Sequence, residues 1–301
     1  MNLANLDLNL LVALRALLEE RNVTRAGQRL GLSQPTMSGS LARLRRHFDD
    51  ELLSRVGGQY ELTALGRALL DRTASVCDMA ERVFSSRLGF DPATETREFH
   101  LVCSDYAVTV LGTALVQALR QEAPRVRLRF TQTPADIVAS AATVLSSVDG
   151  VLMPHGIISG FPSVELHEDE WVFIVAEDNT EVGERLTRED LARLPWVTYQ
   201  RVYDAPPVHQ LGLLGIEPNV EVSVDSFQVL PFLVAGTHRI ALVQRRLAER
   251  LRASAPVRIM PAPYEVAPLR EALWWHPVHT HDAAHTWLRE TAVRIADSVT
   301  A

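Results

Sequence analysis

The first fifty residues place apolar side chains at the spacing of short helices. Leucines three to four positions apart predict an amphipathic helix over residues 5–20. A second helix is predicted from Val23 to Leu30. Asn22 precedes it as a good N-terminal cap, and Gly31 follows it, as glycine often does just past a helix end.

A third helix is predicted after Ser33, a favourable cap. Its apolar residues recur at spacings of four, three and four and form one stripe: Met37, Leu41, Leu44 and Phe48. Polar and basic residues occupy the opposite face, including Arg43 and Arg46. Two short helices joined by a tight turn with glycine are typical of a helix-turn-helix, whose second helix enters the DNA major groove.

A longer helix is predicted over residues 64–88, capped by Thr63. Its apolar positions fall seven apart at Leu62, Leu69, Val76 and Val83, the pattern of two packed helices. This pattern favours a helix that pairs two chains. The alternative is a helix that packs only on its own domain. A hinge is predicted near residues 91–98.

From residue 100 onwards, short apolar strands alternate with helices. This alternation predicts parallel α/β sheets. The predicted strands are 100–103, 126–132, 151–153, 171–176, 196–199, 220–224, 240–243, 257–260 and 272–275. The predicted helices are 107–122, 136–146, 188–193, 226–235, 245–253 and 283–298.

The formal net charge also differs between the helical N-terminal segment and the rest of the chain. The net charge is −7, yet residues 1–48 hold seven arginines against three acidic residues, which is 7 − 3 = +4 and leaves −11 for the rest. A basic segment on a helix-turn-helix pattern indicates a nucleic-acid interface. The alternative is an ordinary helical bundle with solvated arginines.

The same residues resemble a known family. The segment LDLNLLVALRALLEERNVTRAGQRLGLSQPTMSGSLARLRRHFDDELLSR, with LTALGRAL after it, resembles the N-terminal domain of LysR-type transcriptional regulators. The later stretch VAGTHRIALVQRRLAERL is most similar to the branch with nodulation and aromatic-degradation regulators. The resemblance implies a winged helix-turn-helix at 1–62, a linker helix at 63–90, and an effector-binding and oligomerisation domain at 91–301. That last domain is expected to have two α/β lobes, like a periplasmic solute-binding protein.

The resemblance also implies which residues face DNA. Together with Arg46 from the outer face of the third helix, the expected set is Thr24, Ser33, Gln34, Pro35, Thr36, Ser38, Arg43 and Arg55. Arg55 is expected at the phosphate backbone. The sequence departs from the family at Gly27, where a second alanine is usual, and this is expected to loosen the second helix. The wing tip also lacks an arginine that the family often has.

Candidate effector-binding residues follow the predicted strands, because open α/β sheets bind ligands beyond the carboxyl ends of their strands. They are Ser104, Asp105, Tyr106, Thr131, Gln132, Tyr199, Arg201 and Phe227. Ser104 and Arg201 could hold a carboxylate, and the three aromatic residues could stack a ring. The predicted effector is therefore a small aromatic or carboxylate compound.

Enzyme chemistry has weak support. The histidines at 276, 279, 281 and 285 lack the spacing of an HExxH zinc site, and there is no GxSxG elbow or P-loop. We interpret them as solvated residues of a loop. Cys77 and Cys103 form no CxxC pair and are expected to be buried free thiols. No metal, cofactor or catalytic residue is predicted.

Three classes of function remain open. The first is a ligand-responsive transcriptional regulator, the second a DNA-binding protein whose C-terminal half only assembles the oligomer, and the third an α/β enzyme with a basic appendage. The expected partners are double-stranded DNA, a small effector and further copies of the chain in a homodimer or homotetramer, with RNA polymerase as a candidate. No apolar run reaches the roughly 18 residues of a membrane helix, and the cytoplasm is the expected location.

Overall fold

The chain divides into two units. A computed structural model describes residues 7–85, 90–200 and 206–300. The units are Met1–Leu88 and Gly89–Ala301.

The first unit consists of four helices and one hairpin. Its elements are α1 (Asn9–Glu20), α2 (Val23–Leu30), α3 (Gln34–Phe48), β1 (Leu53–Val56), β2 (Gln59–Leu62) and α4 (Ala64–Ser85). The predicted caps are confirmed. The Asn22 side chain accepts hydrogen bonds at the start of α2, Gly31 adopts φ +66° after it, and Ser33 caps α3.

The core of the first unit lies between α1, α3 and the hairpin. Met37, Leu41 and Leu44 are buried, as the stripe predicts, and they pack with leucines of α1. Helix α2 is capped at both ends, by Asn22 and Gly31, and the expected loosening at Gly27 stays a prediction. A Cβ at Gly27 would lie 2.9 Å from the Leu32 carbonyl oxygen, so glycine allows the close turn between α2 and α3.

Helix α4 packs against α1 through one face, on which Thr73 and Cys77 are buried. Leu69 is half-buried against the same core. Val76 remains 49% exposed. Of the predicted repeat, Leu69 therefore packs against the core of its own domain, whereas Val76 is left exposed. The side chain of Val83 lies outside those described.

The second unit has two lobes, each built on a five-stranded sheet. In the first lobe the strand order is β4-β3-β5-β12-β6, and in the second it is β11-β7-β10-β8-β9. The first lobe holds β3 (Glu98–Cys103), β4 (Arg127–Gln132), β5 (Gly150–Pro154), β6 (Ser163–Asp169), β12 (Leu269–Trp274), α5 (Asp105–Ala107), α6 (Thr113–Glu122), α7 (Ile137–Ser147) and α12 (Ala283–Thr300). The second lobe holds β7 (Trp171–Ala176), β8 (Pro195–Tyr199), β9 (Asn219–Val224), β10 (Ile240–Gln244), β11 (Val257–Pro261), α8 (Arg188–Arg193), α9 (Pro206–Leu213), α10 (Leu230–Val234) and α11 (Arg245–Leu251).

The prediction of parallel α/β sheets holds for only part of each sheet, because both sheets are mixed. Strand β12 runs antiparallel to β5 and β6, and β7 runs antiparallel to β10 and β11. The chain crosses between the lobes twice, from β6 to β7 and from β11 to β12, and the strands beside these crossovers enter their sheets in the reverse direction. The two lobes that the resemblance implied are thus present and are joined by two crossovers.

Ionisable side chains are buried beside the crossover strands. The Tyr106 hydroxyl donates to Asp169 Oδ2 over 2.8 Å and lies 2.9 Å from His167 Nε2. Glu271 pairs with His167 in the β12–β6 register and is 1% exposed. Burial, and to a lesser degree the charge of Asp169, raises the pKa of the Glu271 carboxyl to about 8. Glu271 therefore holds its proton at neutral pH.

We expect Glu271→Gln to flatten the pH dependence of stability between pH 6.5 and 8. An unfolded glutamate has lost its proton in this range and the folded one keeps it, so the wild type loses about 1 kcal/mol of unfolding free energy per pH unit. Below pH 6.5, His167 and His285 lower the free energy of unfolding as the pH falls. Burial lowers the pKa of each to about 4, so the unfolded histidines take up protons before the folded ones do.

Urea titrations followed by tryptophan fluorescence measure this slope, because all five tryptophans lie in the second unit. Glu168→Gln, an exposed position on β6, is the matched control. Equal slopes in wild type and Glu271→Gln would contradict the assignment.

Candidate DNA-binding and effector-binding sites

The start of α3 presents small polar side chains to solvent. Ser33, Gln34, Pro35 and Thr36 are exposed, and Ser38 is half-buried. Ser33 Oγ accepts from the Thr36 N–H over 3.4 Å, and Gln34 Nε2 donates to Ser38 Oγ over 3.2 Å. Five of the predicted DNA-facing residues therefore share the accessible first two turns of one helix.

The remaining predicted DNA contacts lie on three elements of the first unit. Arg43 and Arg46 are exposed on α3, and Arg43 Nη2 donates to Asp7 Oδ2 over 2.7 Å. Thr24 is exposed in the first turn of α2. Arg55 is exposed on β1 and lines a cleft of about 840 Å³ that the residues around the start of α2 also line. The structure thus brings the α2 start and the wing strand to one cleft.

Asp105 connects the two lobes of the second unit. Its Oδ2 accepts from Ser226 Oγ over 2.6 Å and from the Gln228 N–H over 3.0 Å, while Oδ1 accepts from the Tyr106 N–H over 2.9 Å. The side-chain amide of Gln228 also donates, through Nε2, to Thr109 Oγ1 over 2.5 Å. This interlobe clamp, made by Asp105, Thr109, Ser226 and Gln228, engages both oxygens of the Asp105 carboxylate.

An aromatic pair lies next to the clamp. Tyr199 is the last residue of β8 and stacks on Phe227 with ring centroids 3.7 Å apart and planes 11° apart. Tyr199 is half-buried and Phe227 is buried. An open cleft of about 510 Å³ is lined by residues that neighbour the pair in sequence: Gln200, Ser223, Val224, Asp225, Ser226 and Val229. A small planar molecule fits this volume.

Three predicted effector contacts do not fit their positions. Tyr106 is 1% exposed and its hydroxyl donates to Asp169, so the ring offers no surface on which an effector could stack. The Asp105 carboxylate is occupied within the clamp. Ser104 Oγ, expected to hold an anion, instead accepts from the Ala107 N–H as a helix cap.

The other predicted contacts vary in their accessibility. Thr131 Oγ1 lies 2.8 Å from His100 Nε2, and Gln132 is exposed at the end of β4 opposite Cys103. Arg201 lies outside the described residues. Sequence reasoning missed Gln228 because nothing local indicates that it meets Asp105, 123 residues earlier in the chain. It missed Thr109 because nothing local indicates its contact with Gln228.

The C-terminal histidines are not all solvated, contrary to our interpretation. His279 and His285 are buried, with parallel rings 5.0 Å apart. His285 Nε2 donates to the Asp149 carbonyl oxygen, and its Nδ1 accepts from Arg289 over 2.7 Å. Within the described ranges, no group of three or more histidine, cysteine or acidic residues is arranged to hold a metal.

Both cysteines are buried and free, as predicted. Burial raises the pKa of the Cys103 thiol to about 12, with smaller contributions from Glu271 and Asp105. A protonated thiol is a poor nucleophile.

Sequence comparison identifies both units. Residues 8–67 match the bacterial regulatory helix-turn-helix protein, lysR family, and residues 92–296 match the LysR substrate binding domain. The chain belongs to the LysR family. It is a transcriptional regulator with an N-terminal DNA-binding domain and a C-terminal effector-binding domain.

The regulator is similar to nodulation proteins over nearly its full length. It is 32% identical to Nodulation protein D 2 of Rhizobium tropici, with 98% of this chain and 95% of the relative covered. Nodulation protein D 3 of Mesorhizobium japonicum is also 32% identical, with coverage of 98% and 99%.

Solved structures show the same fold. A probable transcriptional regulator, PA0477 from Pseudomonas aeruginosa, superposes with a TM-score of 0.74 at 25% identity, covering 96% of this chain and 97% of that one. Full-length CbnR complexed with its target DNA superposes with a TM-score of 0.66 at 16% identity, covering 97% and 100%. Among the described helices of the regulator, none has the length and apolar character that crossing a membrane requires.

Proposed function

We propose that the regulator acts in the cytoplasm as a homodimer or homotetramer on a double-stranded operator, read by α3 and contacted by the β1–β2 wing. The observation that carries this proposal is the exposed polar start of α3, followed by Arg43 and Arg46, on a helix whose opposite stripe is buried. RNA polymerase is the further partner that this role implies. We assign the chain no catalytic activity, because the family models that match its two units are those of transcriptional regulators.

We assign the effector site to the cleft beside Tyr199 and Phe227. The stacked pair and the adjoining volume support a small aromatic effector, because aromatic rings gain from offset contact with other rings. The donors Ser226 and Gln228 are engaged by Asp105. An effector carboxylate gains affinity there only if it displaces Asp105, whereas a neutral ring needs no displacement.

Effector binding would act on DNA affinity through the clamp. A ligand changes the equilibrium between lobe arrangements only if it binds one of them more tightly. The cleft includes Ser226, which is also part of the clamp, so a ligand in the cleft and the clamp share a residue. Occupancy of the cleft is thus expected to change the balance between clamped and unclamped lobes.

Isothermal titration with benzoate, benzamide and cyclohexanecarboxylate tests the effector class. The two aromatic compounds are expected to bind, and Tyr199→Leu is expected to weaken both by about threefold to tenfold through lost stacking. Phe232→Leu, an exposed ring of the same lobe, is the matched control. Cyclohexanecarboxylate binding as tightly as benzoate, or no effect of Tyr199→Leu, would contradict the aromatic assignment.

A further inference from the structure

Much of the positive charge of the first unit is neutralised within that unit. Arg15 and Arg29 pair with Glu19, Arg25 pairs with Glu20 over 3.3 Å, and these groups lie at the junction of α1 and α2. The formal charge of the segment therefore overstates the charge that is available to DNA. What matters is which arginines on α3 are already occupied.

Arg43 is occupied by an acid from outside its own helix. Its Nη2 donates to Asp7 Oδ2 over 2.7 Å, joining α3 to the segment before α1. The side chains are 55% and 34% exposed, so both stay in contact with water. Asp7 Oδ1 also accepts from the Asn9 N–H over 3.0 Å, which fixes the carboxylate at the start of α1.

The exposed ion pair between Arg43 and Asp7 is expected to contribute little to the free energy of unfolding. Exposed ion pairs contribute little to folding, because water and salt screen them and ordering two side chains costs entropy. A guanidinium donates to a carboxylate and to a phosphate through the same N–H groups. The carboxylate also repels any phosphate that approaches Arg43. The pair therefore affects anion binding at Arg43 more than it affects the fold.

We propose that Asp7 is an intramolecular competitor of DNA phosphate for Arg43 and so weakens DNA binding by the regulator. The proposal rests on the proposed function in one respect, that α3 faces DNA. Its consequence is sequence-independent, since phosphate contacts carry no base information. Asp7 lowers affinity for operator and unrelated DNA alike, and it makes the binding less dependent on salt.

The test uses four full-length proteins: wild type, Asp7→Asn, Arg43→Ala and the double variant. Fluorescence anisotropy measures their binding to a duplex that the wild type selects from random-sequence DNA and to an unrelated duplex, at several salt concentrations. Asp7→Asn is expected to bind both duplexes about threefold to tenfold more tightly, with the logarithmic salt slope steeper by about 0.9, as one added phosphate contact predicts. In the Arg43→Ala background the same change is expected to have little effect.

Asp49→Asn is the matched control. It removes the same charge from an exposed residue at the other end of α3, where asparagine tolerates the φ of +49°. Weaker binding by Asp7→Asn would overturn the proposal, because Asp7 would then orient Arg43 for DNA. An equal gain in DNA affinity from Asp7→Asn in the Arg43→Ala background, or from Asp49→Asn, would also overturn the proposal. The gain would then come from the removal of any negative charge and not from the release of Arg43.

The Arg43→Ala protein alone separates this proposal from the proposed function. If Arg43→Ala binds DNA as wild type does, Arg43 is not at the interface, and that assignment fails whatever Asp7 does. If Arg43→Ala binds DNA several-fold more weakly while Asp7→Asn binds it as tightly as wild type, the assignment of Arg43 to the DNA interface is supported and the proposed competition by Asp7 is wrong.

Discussion

Val76→Glu is expected to convert the regulator from a dimer to a monomer at micromolar concentration. Val76 continues the seven-residue repeat on α4 and is 49% exposed in the single chain, where an apolar side chain gains by being covered. Two facing glutamates in such a seam should raise the dimer dissociation constant about 100-fold or more, because burying an unpaired carboxylate costs several kcal/mol.

The same variant should lose most of its operator affinity. Two linked half-site contacts gain about 10²–10⁴ in affinity over one through effective concentration, and the monomer forfeits this gain. Sedimentation velocity and anisotropy measure the two effects. Val138→Glu, an equally exposed valine on α7, is the control. A fully dimeric Val76→Glu would move the main contact to the effector domain, where Phe232 and Leu233 are exposed.

Asp105→Asn is expected to release the two lobes from one another. The amide group offers one oxygen where the carboxylate offered two, so either the Tyr106 N–H or the Gln228 N–H loses its acceptor. The stability of the second unit should fall by about 2–4 kcal/mol, since hydrogen bonds to charged groups are strong and the donor left without an acceptor is at least partly buried.

Tryptophan fluorescence in urea measures this loss in the second unit alone. Asp178→Asn, an exposed acid of the second lobe, is the control and should leave the midpoint unchanged. Ser226→Ala removes one donor and keeps the carboxylate, so it should have a smaller effect than Asp105→Asn. A midpoint for Asp105→Asn equal to that of wild type would show that the clamp does not hold the lobes.

The first unit was predictable because its signals are local. Asn22, Gly31 and Ser33 act within four residues of themselves, and the Met37–Leu41–Leu44 stripe needs only a helix to bring it together. The same local reasoning placed most strands of the second unit within a few residues. Strand β6 was missed because it is an edge strand rich in polar and acidic residues, with Glu165, His167 and Glu168 in its sequence.

The effector site was less predictable because its contacts join distant parts of the chain. Sequence reasoning found Tyr199 and Phe227 separately but had no signal for their stacking. It expected Tyr106 to face the ligand, since Tyr106 follows a strand end, yet the ring turns into the core to bind Asp169. A side chain at a strand end can point toward the cleft or the core, and the buried partner that decides this lies 63 residues away.

Binding of the full-length chain to its selected duplex, with and without benzamide, tests whether the protein is an effector-responsive DNA-binding regulator. We expect a marked preference over a scrambled duplex, an affinity that falls by orders of magnitude between about 50 and 200 mM salt, and a reproducible change on adding benzamide that Tyr199→Leu removes. Binding that shows no preference for the selected duplex would contradict the regulator's proposed DNA contacts. Preference without any change on adding benzamide would contradict the aromatic effector site.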